Sequence, residues 1–229
     1  FIGFLLIDSV LALDCSQLHL AIHSFFRIEI MTPEQTAITY NQIAQHWDCP
    51  EFNSSYGINQ HEHALQFVSK FNGALDIGCG SSGRIIHLLQ SRGFKVEGLD
   101  LSQEMLKRAQ KHHPQVQFHM ANICSWEFPK HYDFISAWDS IWHIPLHEQL
   151  FVLRKICGGL TLGGVLIFTT GGVEQPEEII NPCFGQPLYH AAPGIPAILR
   201  TLEESNCSCR HLEYDQYPEK HVYLIAQRY

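Results

Sequence analysis

From residue 73 onward, short apolar runs alternate with longer stretches in which apolar residues recur every three or four positions. The runs at 74–78 (ALDIG), 95–100 (KVEGLD), 116–122 (VQFHMAN), 132–138 (YDFISAW) and 163–170 (GGVLIFTT) predict strands. The stretches at 84–93 (RIIHLLQSRG), 103–113 (QEMLKRAQKHH) and 147–160 (HEQLFVLRKICGGL) predict the helices between them. Boundary residues agree: Gly93 stops the first helix, Ser102 caps the second and Pro114 lies beyond its end. A helix at 195–205 and strands at 208–215 and 221–228 close the chain. Repeated strand–helix units ending in a strand pair predict an α/β fold, a doubly wound, mostly parallel, seven-stranded sheet with an antiparallel last strand.

Two helices precede this pattern. The first opens with Thr32 as N-cap, Pro33 at the first helical position and Glu34 in the first turn, and the second spans 59–71. Residues 31–72 are therefore expected to form a helical cap on a domain at 73–229. Residues 1–30 carry no motif and are expected to be a non-native or accessory extension. Their apolar runs are broken by Asp8, Asp14, His19, His23 and Arg27, so neither a membrane span nor a secretory signal is expected there. The stretch 171–194, rich in Gly and Pro, reads as a long loop of the kind that covers a site.

Composition narrows the partners. A formal net charge of -8 without any basic run offers no surface for a phosphate backbone, so nucleic acid is not expected. The eight cysteines are scattered rather than spaced as a framework, which fits reduced thiols in a cytoplasmic protein. Cys207 and Cys209 lack zinc-site spacing, and Pro145 interrupts any helix that would align His143 with His147, so no metal is expected.

The informative segment is Asp76-Ile77-Gly78-Cys79-Gly80-Ser81-Ser82-Gly83, at the junction of the first strand and its helix. Glycines there let the backbone turn sharply and approach a ligand at the carboxyl edge of the sheet. The pattern is shared with dinucleotide-binding enzymes, but Asp76 would aim a carboxylate where a dehydrogenase holds pyrophosphate, which suits a cationic ligand better. Asp100, ending the second strand, stands where it can accept two ribose hydroxyl bonds.

With these motifs the chain resembles the class I S-adenosylmethionine (SAM) dependent methyltransferases, over residues 37 to 228. The resemblance implies the seven-stranded Rossmann-like methyltransferase fold and SAM as cofactor. It places Asp76, Gly78, Cys79 and Gly80 at the methionine moiety, Asp100 at the ribose, and Leu101 and Met105 near the adenine. Asn122-Ile123 stand where the family usually has an acidic residue at the adenine edge. Trp138, Asp139, Trp142 and His143 follow the fourth strand, with Trp138 at the cofactor and Asp139 and His143 as catalytic candidates, His143 as base. Tyr40 and Trp47 belong to an N-terminal segment expected to fold over the cofactor. A small-molecule acceptor receives the methyl group by in-line displacement, without a covalent enzyme intermediate. Ser81 and Ser140 lack the G-x-S-x-G setting of a hydrolase nucleophile. A nicotinamide-dependent oxidoreductase and a catalytically inactive SAM-binding module are the competing classes.

Overall fold

A computed structural model describes residues 31–49 and 55–229. The expectation for 1–30 lies outside the described residues. Helices α1 (Pro33–Ile43) and α2 (Ile58–Leu65) lead into strand β1 (Gly73–Ile77), helix α3 (Arg84–Ser91), β2 (Lys95–Asp100), α4 (Gln103–His112) and β3 (Gln117–Met120). Then come β4 (Tyr132–Ala137), α5 (Leu146–Gly158), β5 (Leu160–Gly171), β6 (Glu177–Cys183), β7 (Gln186–Ala192), α6 (Ile195–Glu204), β8 (Cys207–Glu213) and β9 (His221–Arg228).

The main sheet has seven strands in the order β3-β2-β1-β4-β5-β9-β8. β1 to β5 pair in parallel, and β9 runs antiparallel to both of its neighbours. All six residues of β4 are buried, as expected for a central parallel strand covered on both faces. One face packs on α5 and α6 through Val152, Leu153, Ile156, Ile198 and Leu202. The other packs on α2 and α3 through Ala64, Leu65, Ile85, Ile86 and Leu89. The sheet order reverses between β1 and β4, and the crevice at the carboxyl ends of such strands is where open α/β sheets bind ligands.

Local chemistry explains the element ends. Thr32 accepts from the Gln35 backbone N–H while the Gln35 side chain takes the Thr32 N–H, a reciprocal cap that starts α1. Ser102 caps α4 through the Met105 N–H.

Two expectations need correction. The second helix ends at Leu65, well short of 71. The stretch 171–194 is not a loop: β6 and β7 form a separate two-stranded hairpin with Phe184 and Gly185 at its tip, both at positive φ.

Candidate active site

A cavity of about 160 Å³ lies at the switch point between β1 and β4. Its floor is the turn after β1. Gly78 has φ 67°, and a Cβ there would stand 2.2 Å from Ser140 Cβ, so no side chain fits. Gly80 has φ 60°, and a Cβ there would meet nothing within 4 Å. The Gly78 and Cys79 N–H groups both donate to Leu99 O, at 2.7 and 3.1 Å, which ties the turn to β2.

Asp100 braces this turn. Its Oδ2 accepts from the Gly80 N–H at 2.9 Å and its Oδ1 from the Ser102 N–H at 2.8 Å. Burial raises its pKa, against the lowering pull of those bonds. Leu101, Met105, Asn122 and Ile123 line the same end of the cavity. The Asn122 amide is committed at both ends: Oδ1 accepts from the Cys124 N–H at 2.9 Å and Nδ2 donates to Glu34 at 2.8 Å. Its oxygen keeps a second lone pair for a ligand.

Asp76 does not reach the cavity as the motif suggested. It points into the protein, where it bonds Ser136 and feels the charge of Arg84, and burial lifts its pKa to about 7. Ser136 Oγ also lies 3.1 Å from Nε2 of His61, a fully buried residue whose Nδ1 faces Gly57 O at 2.7 Å. The polar strand position after Leu75 thus serves a buried Asp–Ser–His chain behind the glycine turn.

The opposite end is built from α1, the turn that follows it and the segment after β4. Tyr40, Trp47, Trp138, Asp139 and His143 all line the cavity. His143 is held on every side. Its Nδ1 lies 2.8 Å from Tyr189 O, a carbonyl that can only accept, so Nδ1 carries the hydrogen. Its Nε2 then receives the Trp142 indole N–H at 2.9 Å and the Tyr40 hydroxyl at 2.8 Å. Burial, with His190 nearby, pushes its pKa down to about 3. A neutral ring whose lone pair already takes two donors has no site left for a substrate proton, which speaks against His143 as base and for a bracket joining α1 to the hairpin.

Asp139 occupies a left-handed backbone position, φ 50°, held by its N–H donating to Thr169 Oγ1 at 2.7 Å. Its Oδ1 lies 3.0 Å from His221 Nε2, and His221 Nδ1 lies 2.5 Å from Asp215 Oδ1. Sequence reasoning missed His221 and Asp215. They follow the fourth strand by some eighty residues, and only the placement of β9 beside β5 brings them here. Trp138 is 5% exposed, and its Nε1 and Ser140 Oγ are buried without a partner. The Trp138 Nε1 edge lies against Gly57, whereas Ser140 lines the cavity beside Gly78, where its hydroxyl suits a polar atom of a ligand.

The hairpin packs on the outside of the cap. Phe184 stacks on His46 at 3.9 Å with planes 4° apart and meets Trp47 edge-on at 5.3 Å, while Thr39 Oγ1 donates to Pro187 O.

Residues 74–164 match the family model described as a methyltransferase domain. That segment is similar to a methyltransferase domain. The ubiquinone biosynthesis O-methyltransferase of Nitrosomonas europaea is 28% identical over 145 residues, covering 57% of this chain and 60% of that protein. The trans-aconitate 2-methyltransferase of Afipia carboxidovorans is 32% identical over 126 residues, covering 51% and 48%. The chain therefore spans about half to three fifths of the length of these relatives. Among solved structures, a SAM-dependent methyltransferase from Clostridium acetobutylicum shares the fold at TM-score 0.63 and 16% identity, covering 83% of this chain and 99% of that one. The DhpI–SAH complex does so at TM-score 0.65 and 18% identity, covering 86% and 96%. The matched segment carries the glycine turn, Asp100, Asn122 and the β4 end, whereas the hairpin, His221 and Asp215 fall outside it.

Proposed function

We propose that this protein transfers a methyl group from SAM to a small-molecule acceptor by in-line displacement. The observation that carries the reading is the cavity itself. An open glycine cradle, braced by a carboxylate at one end and walled by Tyr40, Trp47 and Trp138 at the other, is built within the matched segment and its cap.

The residues fit the cofactor. Gly80 leaves room for close backbone approach, Asp100 offers a carboxylate to ribose hydroxyls, and Asn122 offers a lone pair to an adenine edge. Among the described residues, the lining carries the acids Asp100 and Asp139 beside one basic residue, Arg84. When bound, SAM supplies an activated methyl carbon on a sulfonium.

The protein's own part is alignment and exclusion of water. Tyr40 and Trp47 cover the site from the cap, and Phe184 packs over His46 and Trp47 from the hairpin. His143 holds Tyr40 in place. Asp139 is the carboxylate placed to take a proton from an acceptor, with His143 excluded by its filled lone pair. Turnover of methyl-labelled SAM with a panel of small hydroxyl, amine and carboxylate metabolites tests the reading. Label transfer to a small molecule supports it. SAM binding without transfer to any acceptor makes the protein a binding module instead.

A further inference from the structure

Two carboxylates line the cavity among the described residues, Asp100 at the glycine turn and Asp139 at the end of β4. Asp139 is unusually constrained. A left-handed φ is disfavoured for a non-glycine residue, so the surroundings hold it there. Behind it stands a pair the methyl-transfer reading does not use. His221 is 8% exposed, and its two ring nitrogens face Asp139 and Asp215. Carboxylates only accept, so both nitrogens carry hydrogens and the ring is an imidazolium. Burial works against that charge, but the bonds and charges of the two aspartates outweigh it and the pKa of His221 is raised.

The neighbours reinforce the arrangement. Gln60 Nε2 donates to the second oxygen of Asp215 at 3.0 Å, and the Tyr56 hydroxyl, 3.3 Å from His221 Nε2, accepts from Gln216 at 2.7 Å. Trp138 and Trp142 pack on the His221 ring at 5.7 and 5.5 Å. Of the other titratable groups, Arg84, His61, His190, His143, Tyr40 and Tyr56 feel the charge of Asp139, and Tyr56, more weakly, and Tyr223 feel that of Asp215. One imidazolium between two carboxylates leaves a net single negative charge, presented to the cavity by Asp139.

We propose that Asp139, fixed by His221 and Asp215, receives the hydroxyl or amine hydrogen of a neutral, ring-bearing methyl acceptor, and that His221 and Asp215 are positioning residues for that contact. The inference rests on the methyl-transfer reading and narrows it to protic acceptors. Aromatic walls suit a planar ring, and the unpartnered Ser140 Oγ supplies a further donor. A polycarboxylate would meet the Asp139 charge instead. Arg84 is the basic lining residue among those described, but its Nε donates to Tyr56 O at 2.8 Å and its Nη1 to Ser82 at 3.2 Å, and the neutral His143 adds no charge. The balance closes without a co-reactant: the acceptor heteroatom bonds the methyl carbon, the carbon–sulfur electron pair goes to sulfur, and the displaced proton passes to Asp139.

The test is calorimetry on the full chain saturated with S-adenosylhomocysteine, titrated with catechol and with trans-aconitate. Catechol is expected to bind at least about tenfold tighter, a difference of about 1.4 kcal/mol. His221→Gln and Asp215→Asn are each expected to narrow that ratio at least about threefold, with S-adenosylhomocysteine affinity unchanged. A merely structural pair would lower melting temperature and leave the ratio alone. The inference is overturned if catechol does not bind, if trans-aconitate binds as well, or if the ratio survives in whichever variant folds. Failure of S-adenosylhomocysteine to bind removes the methyl-transfer reading and this inference together, whereas its binding with the wrong selectivity removes the inference alone.

Discussion

Replacing His143 with phenylalanine keeps a ring in the same pocket but removes one acceptor that serves Trp142 and Tyr40 and one donor to Tyr189 O. Each buried group left unpaired costs about 1–3 kcal/mol, so His143→Phe is expected to lower the melting temperature and weaken both cofactor binding and turnover. A variant that binds and melts normally while turnover alone falls would return His143 to the role of base. Asp100→Ala has a different signature. It removes the acceptor for the Gly80 and Ser102 N–H groups as well as the charged partner proposed for the ribose, and S-adenosylhomocysteine affinity should fall by about 2–4 kcal/mol. Unchanged affinity by calorimetry would misplace the ribose contact. At this scale the sequence revealed the glycine turn and Asp100, because their spacing along one strand–turn–helix unit is local. It could not show that Asp76 turns inward to Ser136, or that Asp139 meets His221, since those contacts depend on strands paired far along the chain.

Among the elements, the strands β1, β2, β4 and β5 were legible because central parallel strands must be apolar on both faces. The β6–β7 hairpin was not. Its strand β6 leaves Ile179 and Ile180 exposed and carries two glutamates and a proline, so neither burial nor alternation marks it, and only its pairing with β7 shows it as a strand. Its tip nevertheless bears on the site. Phe184 stacks on His46 and abuts Trp47, which lines the cavity. Phe184→Ala should therefore raise the dissociation rate of S-adenosylhomocysteine several-fold with a change in melting temperature of only a few degrees, because the side chain is 59% exposed and carries little core packing. Stopped-flow release at the parent rate would show that the hairpin tip does not gate the cavity.

For the molecule as a whole, buried titratable groups set how stability responds to acid. His61 and His143 have pKa values lowered to about 4 and about 3 by burial, so the unfolded chain takes up protons that the folded one refuses below about pH 6.5. Their contribution is present above that pH and is lost as pH falls toward the folded values. Asp76 acts in the opposite sense: raised to about 7 by burial, it favours the folded state as pH falls through 7. His190 is lowered by burial as well, so the imidazoles outweigh Asp76 and the melting temperature should drop between about pH 6.5 and 5. A flat profile would mean that the imidazoles are less buried than described.

The reading of the whole protein turns on which adenosine ligand the cavity accepts. Thermal melts of the full chain with S-adenosylhomocysteine and with NADH, at equal concentration, decide it, because a ligand that binds only the folded state raises its apparent stability by mass action. S-adenosylhomocysteine at about 100 times its dissociation constant should add about 2.7 kcal/mol and shift the melt upward by several degrees, with NADH leaving it unmoved. A shift with NADH and none with S-adenosylhomocysteine would contradict the assignment of the cavity to SAM.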